Sequence, residues 1–263
     1  MSSLDYDRFC SEIAAQTGLL AARIEGADLT VPVPSCPDWN VGQLLRHLGG
    51  AQRWAETIVR TRATAPVPDG DLRDLSAYTD EDPAVLGPWL AEGAERLAAT
   101  LRAADPGAAL WSPVPGGGAP FYARRFLHET VIHRADATLA LGAEFAVDRE
   151  VALDGLDEWM ELGALPVLLE IRPGMRELLG PGRTLAFRAT DLPPGPAAGW
   201  LVDLTGDALA WRRSGEPAAV TVRAPLTDLL LLVYKRRPAG GGAVEVAGDA
   251  ALLDFWLERV SFG

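Results

Sequence analysis

The sequence predicts an α+β protein in two parts, a helical bundle over residues 1–172 and a small α+β unit over 173–263. Two observations carry this. Before Leu169, apolar residues recur at helical spacing in five long stretches. After Pro173 the texture changes to short segments of strand character, punctuated by Pro193-Pro194-Gly195-Pro196 and by Gly206-Asp207, with helices after them. Strands followed by helices point to α+β rather than to an alternating parallel sheet. The boundary is expected between Leu169 and Thr184, and no repeat of solenoid length is visible.

Taken in order, the first helix is expected over 5–24. The second, over 41–59, carries Val41, Leu44, Leu45, Leu48, Ala51, Trp54, Ala55, Ile58 and Val59 as one buried stripe, and Asn40 with Gln43 three residues on reads as a capping box. A third runs over 83–104 on Val85, Leu86, Trp89, Leu90, Ala94, Leu97 and Leu101. A fourth covers 120–141 with Phe126, Leu127, Val131, Ile132, Ala135 and Leu139 as its core, and a fifth covers 149–169. Strands are expected over 184–189, 199–204, 208–212 and 220–223, then a helix over 226–235, a strand near 244–246 and a last helix over 250–259.

Composition bounds the setting. The 263 residues are 48% hydrophobic and carry a formal net charge of −12, enough apolar content for a sizeable core. The acidity excludes a general nucleic-acid binder and a surface that clings to anionic lipid, since no basic excess neutralises phosphates. The longest aliphatic run, Leu229–Val233, is far too short to span a bilayer, and acids precede the apolar residues at the amino end, the wrong order for a secretory leader. A cytoplasmic location is expected. Cys10 and Cys36 form no Cys-x-x-Cys pair and read as free thiols. Lys235 is the only lysine among 24 Lys and Arg residues, a skew that matches a GC-rich genome rather than any folding need.

The chemistry-bearing residues are few. The three histidines are His47, His128 and His133. His128 and His133 are five apart, about 140° around a helix, so they cannot share a face. Glu129 and His133 are four apart, differ by about 40°, and can grip one ion from a single helix. His47, in the middle of the second helix, would close the site from across the bundle. Two histidines and a carboxylate leave a position open on zinc, the catalytic arrangement, and bundle metal sites are built in this way. Spacing alone leaves the alternative that Glu129 pairs with Arg125 one turn before it. His128 is expected to be exposed or locally hydrogen bonded. Asp136, three residues beyond His133, is either an acceptor that orients its imidazole or the partner of an arginine. Trp39 and Trp54 flank His47 as pocket walls or as core. The glycine runs 116–118 and 240–242 lack the context of a phosphate loop and read as connections.

The stretch Cys36-Pro37-Asp38-Trp39-Asn40-Val41-Gly42-Gln43-Leu44-Leu45-Arg46-His47-Leu48 resembles the amino-terminal signature of the mycothiol-dependent maleylpyruvate isomerase family. Glu129-Thr130-Val131-Ile132-His133-Arg134-Ala135-Asp136-Ala137 resembles its second signature, with Ala135 where the family often has an aromatic. The marks Asp228-Leu229-Leu230-Leu231-Leu232, Arg236-Arg237-Pro238 and Val244-Glu245-Val246-Ala247-Gly248-Asp249 are similar to its second domain. The resemblance implies a DinB-like four-helix bundle followed by a sterol-carrier-like unit. It implies a metal triad of His47, Glu129 and His133 holding Zn2+ or another divalent ion, and mycothiol as thiol cosubstrate. Mycothiol is made by actinobacteria, which are often GC-rich, in keeping with the arginine skew.

The expected reaction follows from thiol chemistry. A metal-bound thiol is held as its nucleophilic thiolate. Added to a conjugated double bond, it permits rotation and leaves, which is cis–trans isomerisation; retained on the product, it is S-transfer. A carboxylated substrate would need a cationic clamp, for which the resemblance offers Arg236 and Arg237, suited to bidentate recognition; the plainer reading is two solvated arginines closing a helix. The competing functions are a metal-dependent hydrolase on the same bundle, with bound water as nucleophile, and a non-catalytic small-molecule-binding protein. The expected partners are a small-molecule substrate and a thiol, without nucleic acid or membrane, and the oligomeric state is unreadable.

Overall fold

The computed structural model describes residues 4–72, 74–240 and 243–260. The chain divides into two compact units, Leu4–Phe145 and the part from Ala146 onward.

In the amino-terminal unit, α1 (Tyr6–Ile24) starts at an Asp5 cap whose carboxylate accepts from the Arg8 N–H. A two-residue connection, Pro34-Ser35, joins strands β1 (Pro32–Val33) and β2 (Cys36–Asn40) into a small antiparallel hairpin that the sequence reading does not contain. Strand β2 runs directly into α2 (Val41–Thr61), and the capping box expected of Asn40 and Gln43 is formed in both directions. After a 3-10 turn at Gly70–Leu72 come α3 (Pro83–Ala103) and α4 (Gly118–Ala140). Helices α1 and α2 each pack against both α3 and α4. Leu20, Ile24, Leu44, Leu45, Leu48, Leu86 and Leu90 form one buried cluster between them. Val85, expected in the core of α3, is 59% exposed. At Gly49 helix α2 leaves room for a side chain of α3, since a Cβ there would fall 2.2 Å from Trp89 Cζ3.

Helix α4 departs most from a simple amphipathic pattern. It is buried on nearly every side from Phe126 to Thr138, and its buried residues include His128, Thr130, His133, Arg134 and Asp136. Polar side chains on a fully enclosed helix must find partners inside the protein, and this concentrates the chemistry of the unit there.

The carboxy-terminal unit begins with α5 (Arg149–Gly163). The sequence reading extended this helix to residue 169; it stops at Gly163, and Pro166 separates it from the single-turn α6 (Leu168–Ile171). Strands β3 (Thr184–Ala189), β4 (Gly199–Asp203), β5 (Ala210–Arg213), β6 (Val220–Ala224) and β7 (Glu245–Gly248) form one sheet in the order β5-β4-β3-β6-β7. The β3–β6 pair is parallel and its neighbours antiparallel. Helices α7 (Leu226–Val233) and α8 (Ala250–Arg259) complete the unit. Gly241 and Gly242 lie outside the described residues.

Helix α5 packs on α7, so the division falls earlier in the chain than the change of sequence texture suggests. Its buried carboxylate Asp157 explains why. Asp157 accepts from Trp200 Nε1 at 2.8 Å and from Arg213 Nε and Nη2 at 2.8 and 3.0 Å, tying α5 to β4 and β5. In the same unit Trp159 packs edge to face on Tyr234 and tilted on Trp256, which in turn meets Phe187, with Trp159 and Trp256 centroids 5.0 Å apart. No helix is long and apolar enough to cross a membrane among the described residues.

Candidate functional site

Helices α2 and α4 bring His47, Glu129 and His133 together in the amino-terminal unit. The imidazoles of His47 and His133 have centroids 5.4 Å apart and lie nearly perpendicular. Glu129 Oε2 is 3.3 Å from His133 Nε2, one helical turn along α4. Both arrangements expected of Glu129 coexist, because Arg125 Nε and Nη2 donate to the other carboxylate oxygen at 3.0 and 2.7 Å. The arginine thus holds one oxygen and turns the second toward His133.

Each imidazole has its Nδ1 engaged by an oxygen. His133 Nδ1 donates to Asp136 Oδ2 at 3.0 Å, and Asp136 Oδ1 in turn accepts from Ser35 Oγ at 2.6 Å. Asp136, 1% exposed, therefore orients the imidazole, with Ser35 in the β1–β2 connection holding the carboxylate. His47 Nδ1 donates to the Leu72 carbonyl at 2.9 Å. With Nδ1 carrying the proton, Nε2 is the basic nitrogen of His47. Trp39 covers its ring, at a centroid distance of 4.8 Å and a tilt of 40°. Trp54 belongs to a separate aromatic group, edge-on to Trp111 and Tyr122.

The charges follow from these contacts. Burial opposes ionisation of Glu129, but the Arg125 charge and the His133 hydrogen bond hold its carboxyl well below the usual carboxylate range. Burial alone would push His133 down; its hydrogen bonds to Asp136 and Glu129 outweigh that and raise it to about 9. At neutral pH His133 is an imidazolium between two carboxylates, donating from both nitrogens. Among the described residues, no three His, Cys, Asp or Glu side chains already enclose a common point as ligands of an ion would. The reason is local: Glu129 and His133 face each other directly.

Other expected residues fall as follows. His128 is buried, not exposed, on a different side of α4 from His133. Arg236 and Arg237 follow α7 in the carboxy-terminal unit; Arg236 Nη1 donates to the Tyr234 carbonyl at 2.6 Å, and Arg237 is ion-paired with Asp228. Cys10 and Cys36 are free thiols, and burial pushes the Cys10 thiol up to about 11, out of reach of nucleophilic chemistry at neutral pH. Sequence reasoning missed Ser35 and the Leu72 carbonyl. A serine in a short turn and a main-chain oxygen carry no spacing signal.

Comparison with known proteins bears on the whole chain. A family model for the mycothiol maleylpyruvate isomerase N-terminal domain matches residues 10–138, and one for the corresponding C-terminal domain matches residues 150–255. Two solved structures share the fold, a mycothiol-dependent maleylpyruvate isomerase and a mutant of it in which a histidine is replaced by alanine. Each is 14% identical over 93% of both chains, with a TM-score of 0.61. No curated protein matches the chain significantly.

Proposed function

Since the chain belongs to the mycothiol-dependent maleylpyruvate isomerase family, a family of enzymes, we propose that it uses mycothiol on a small, carboxylated electrophile, as a cis–trans isomerase or an S-transferase. His47, Glu129 and His133 are the residues that would hold a divalent metal. The observation that carries this is the pairing of both Nδ1 atoms with oxygens, His47 with the Leu72 carbonyl and His133 with Asp136. Imidazoles that ligate metals donate their other N–H to a carbonyl or carboxylate in this manner, which fixes the tautomer and raises ligand basicity. Two imidazoles and a carboxylate also suit zinc by ligand type and leave a position for a thiol. A divalent ion held by these residues would lower the pKa of a thiol so that it is present as thiolate at neutral pH.

The protein's own groups do the rest. Asp136 and Ser35 keep the His133 ring in one orientation. Arg125 neutralises one oxygen of Glu129 and keeps the carboxylate ionised. Trp39 shields one face of His47 from water. Arg236 and Arg237, in the carboxy-terminal unit, are proposed as the carboxylate clamp on the resemblance alone; their own contacts, with Arg237 ion-paired to Asp228, fit the plainer reading of a pair that closes a helix. Arg237→Ala is expected to raise KM for a carboxylated substrate about tenfold with kcat nearly unchanged, the cost of one charge-assisted pair. Unchanged KM would leave Arg237 as the partner of Asp228 alone.

The test of the reaction is turnover of small unsaturated acids, maleylpyruvate first, with mycothiol present and absent. Activity that requires the thiol and disappears on chelation is expected; turnover without thiol would overturn the reading. A pH dependence follows as well. A metal entering the site must displace the His133 proton, which the free site holds up to about pH 9. Zinc affinity is therefore expected to rise about tenfold per pH unit between pH 6.5 and 8.5, measured by competition titration. A flat profile would remove His133 from the ligand set. In metal-free protein the sign is opposite for stability. The raised His133 contributes fully below its unfolded value near 6.5, and the contribution is lost as pH rises through about 9.

A further inference from the structure

One face of α2 carries Asn40, Gln43, His47, Gly50 and Trp54, spaced alternately three and four residues apart, which keeps them in line along the helix. Every one of them meets the connection between α2 and α3. Asn40 Nδ2 donates to the Thr79 carbonyl at 2.8 Å and Gln43 Nε2 to the Leu75 carbonyl at 2.9 Å. His47 Nδ1 donates to Leu72 at 2.9 Å and Trp54 Nε1 to Val67 at 3.1 Å. The connection thus runs antiparallel to the helix as a strap, its carbonyls taken up one after another. At Gly50 the helix leaves room for the strap: a Cβ there would fall 2.9 Å from Leu72 Cδ2. At the far end Arg46 holds Glu81 through two parallel hydrogen bonds of 3.0 and 2.8 Å.

We propose that Gln43 is a positioning residue for His47, acting through this strap. By holding the Leu75 carbonyl, Gln43 keeps the Leu72 carbonyl on His47 Nδ1, and the imidazole is locked with its lone pair on Nε2. A single 3-10 turn at Gly70–Leu72 would otherwise leave its last carbonyl free to drift with the connection that follows it, because exposed connections carry few contacts of their own. Gln43 is buried and one helical turn from His47, and its amide takes the Leu75 carbonyl, three residues beyond the carbonyl that His47 takes. The functional meaning of the lock rests on His47 being a metal ligand; the lock itself does not.

The glutamine has two jobs that one substitution separates. Its Oε1 accepts from the Asn40 N–H at 3.0 Å to complete the capping box, while its Nε2 donates to the strap. Gln43→Glu keeps the acceptor, which suits this position of a helix, and loses the donor. In metal-free protein at pH 8, nitrogen NMR of the imidazole is expected to find His47 mainly in the Nδ1–H form in wild type. In Gln43→Glu the Nε2–H form, preferred by histidine in water, is expected to become at least comparable, and zinc affinity to fall about tenfold or more. Trp54→Phe, which keeps a ring and loses only the Nε1–H, should shift the tautomer in the same direction by less, and it decides the matter alone if Gln43→Glu does not fold. A folded Gln43→Glu with the wild-type tautomer overturns the proposal. A shifted tautomer with unchanged zinc affinity upholds the lock and instead removes His47 from the ligand set.

Discussion

His47→Ala is expected to lose its metal entirely: about one zinc per chain in wild type by elemental analysis, close to none in the variant, and a thiol-dependent rate at least about a hundredfold lower. The size of the effect follows from the small number of ligands. With Glu129 and His133 both on α4, His47 is the only donor that α2 contributes, and without it the two remaining groups return to pairing with each other and with Arg125. The substitution should leave the bundle intact, because the imidazole lies against Trp39, the His133 ring and the Leu72 carbonyl and His47 is not part of the buried leucine cluster. His128→Ala is the matched control. His128 sits on another side of α4, so its loss should leave metal content near the wild-type level even if the removal of a buried side chain lowers stability. Full occupancy in His47→Ala would sink the two-helix site, and loss in His128→Ala would sink the helix-face argument.

Asp157→Ala is expected to cost the carboxy-terminal unit about 3 kcal/mol, seen as a fall of about 10 °C in the thermal midpoint of that unit's transition. Three donors lose their acceptor at once. Trp200 is fully buried, so its Nε1–H has no water to turn to, and Arg213, whose guanidinium stacks 4.0 Å over the Trp200 ring, keeps only carbonyl partners. Leaving buried donors and a charge unsatisfied costs more than the net worth of the original bonds. Asp157→Asn retains one acceptor oxygen and should fall between. A loss in Asp157→Ala under about 0.5 kcal/mol would mean that solvent replaces the carboxylate, and that α5 is held to the sheet by apolar packing alone.

Much of this protein is written in its local patterns. Helix α2 begins where Asn40 and Gln43 say it should, since both halves of a capping box lie within one turn. Glu129 and His133 are neighbours in space because four residues of helix put them on one face, whatever else the chain does. The strands 184–189 and 220–224 follow from β-rich runs between turns. The stripe Asn40, Gln43, His47, Gly50 and Trp54 is not part of the sequence reading, which places Trp54 among the apolar residues of the helix, and nothing nearby in sequence names its partner.

What the sequence by itself determined is therefore which residues share a face: periodicity is a property of the local backbone and is set within a turn or two. Only the tertiary structure decided what each face meets. Asp136 finds Ser35 and Asp157 finds Arg213 across long stretches of intervening chain. Nothing in the local pattern of α5 marks Asp157 as the acid that the sheet buries. Such contacts depend on how helices and sheet pack, where a hydrogen bond is worth making because water has been excluded, and no local rule records that exclusion.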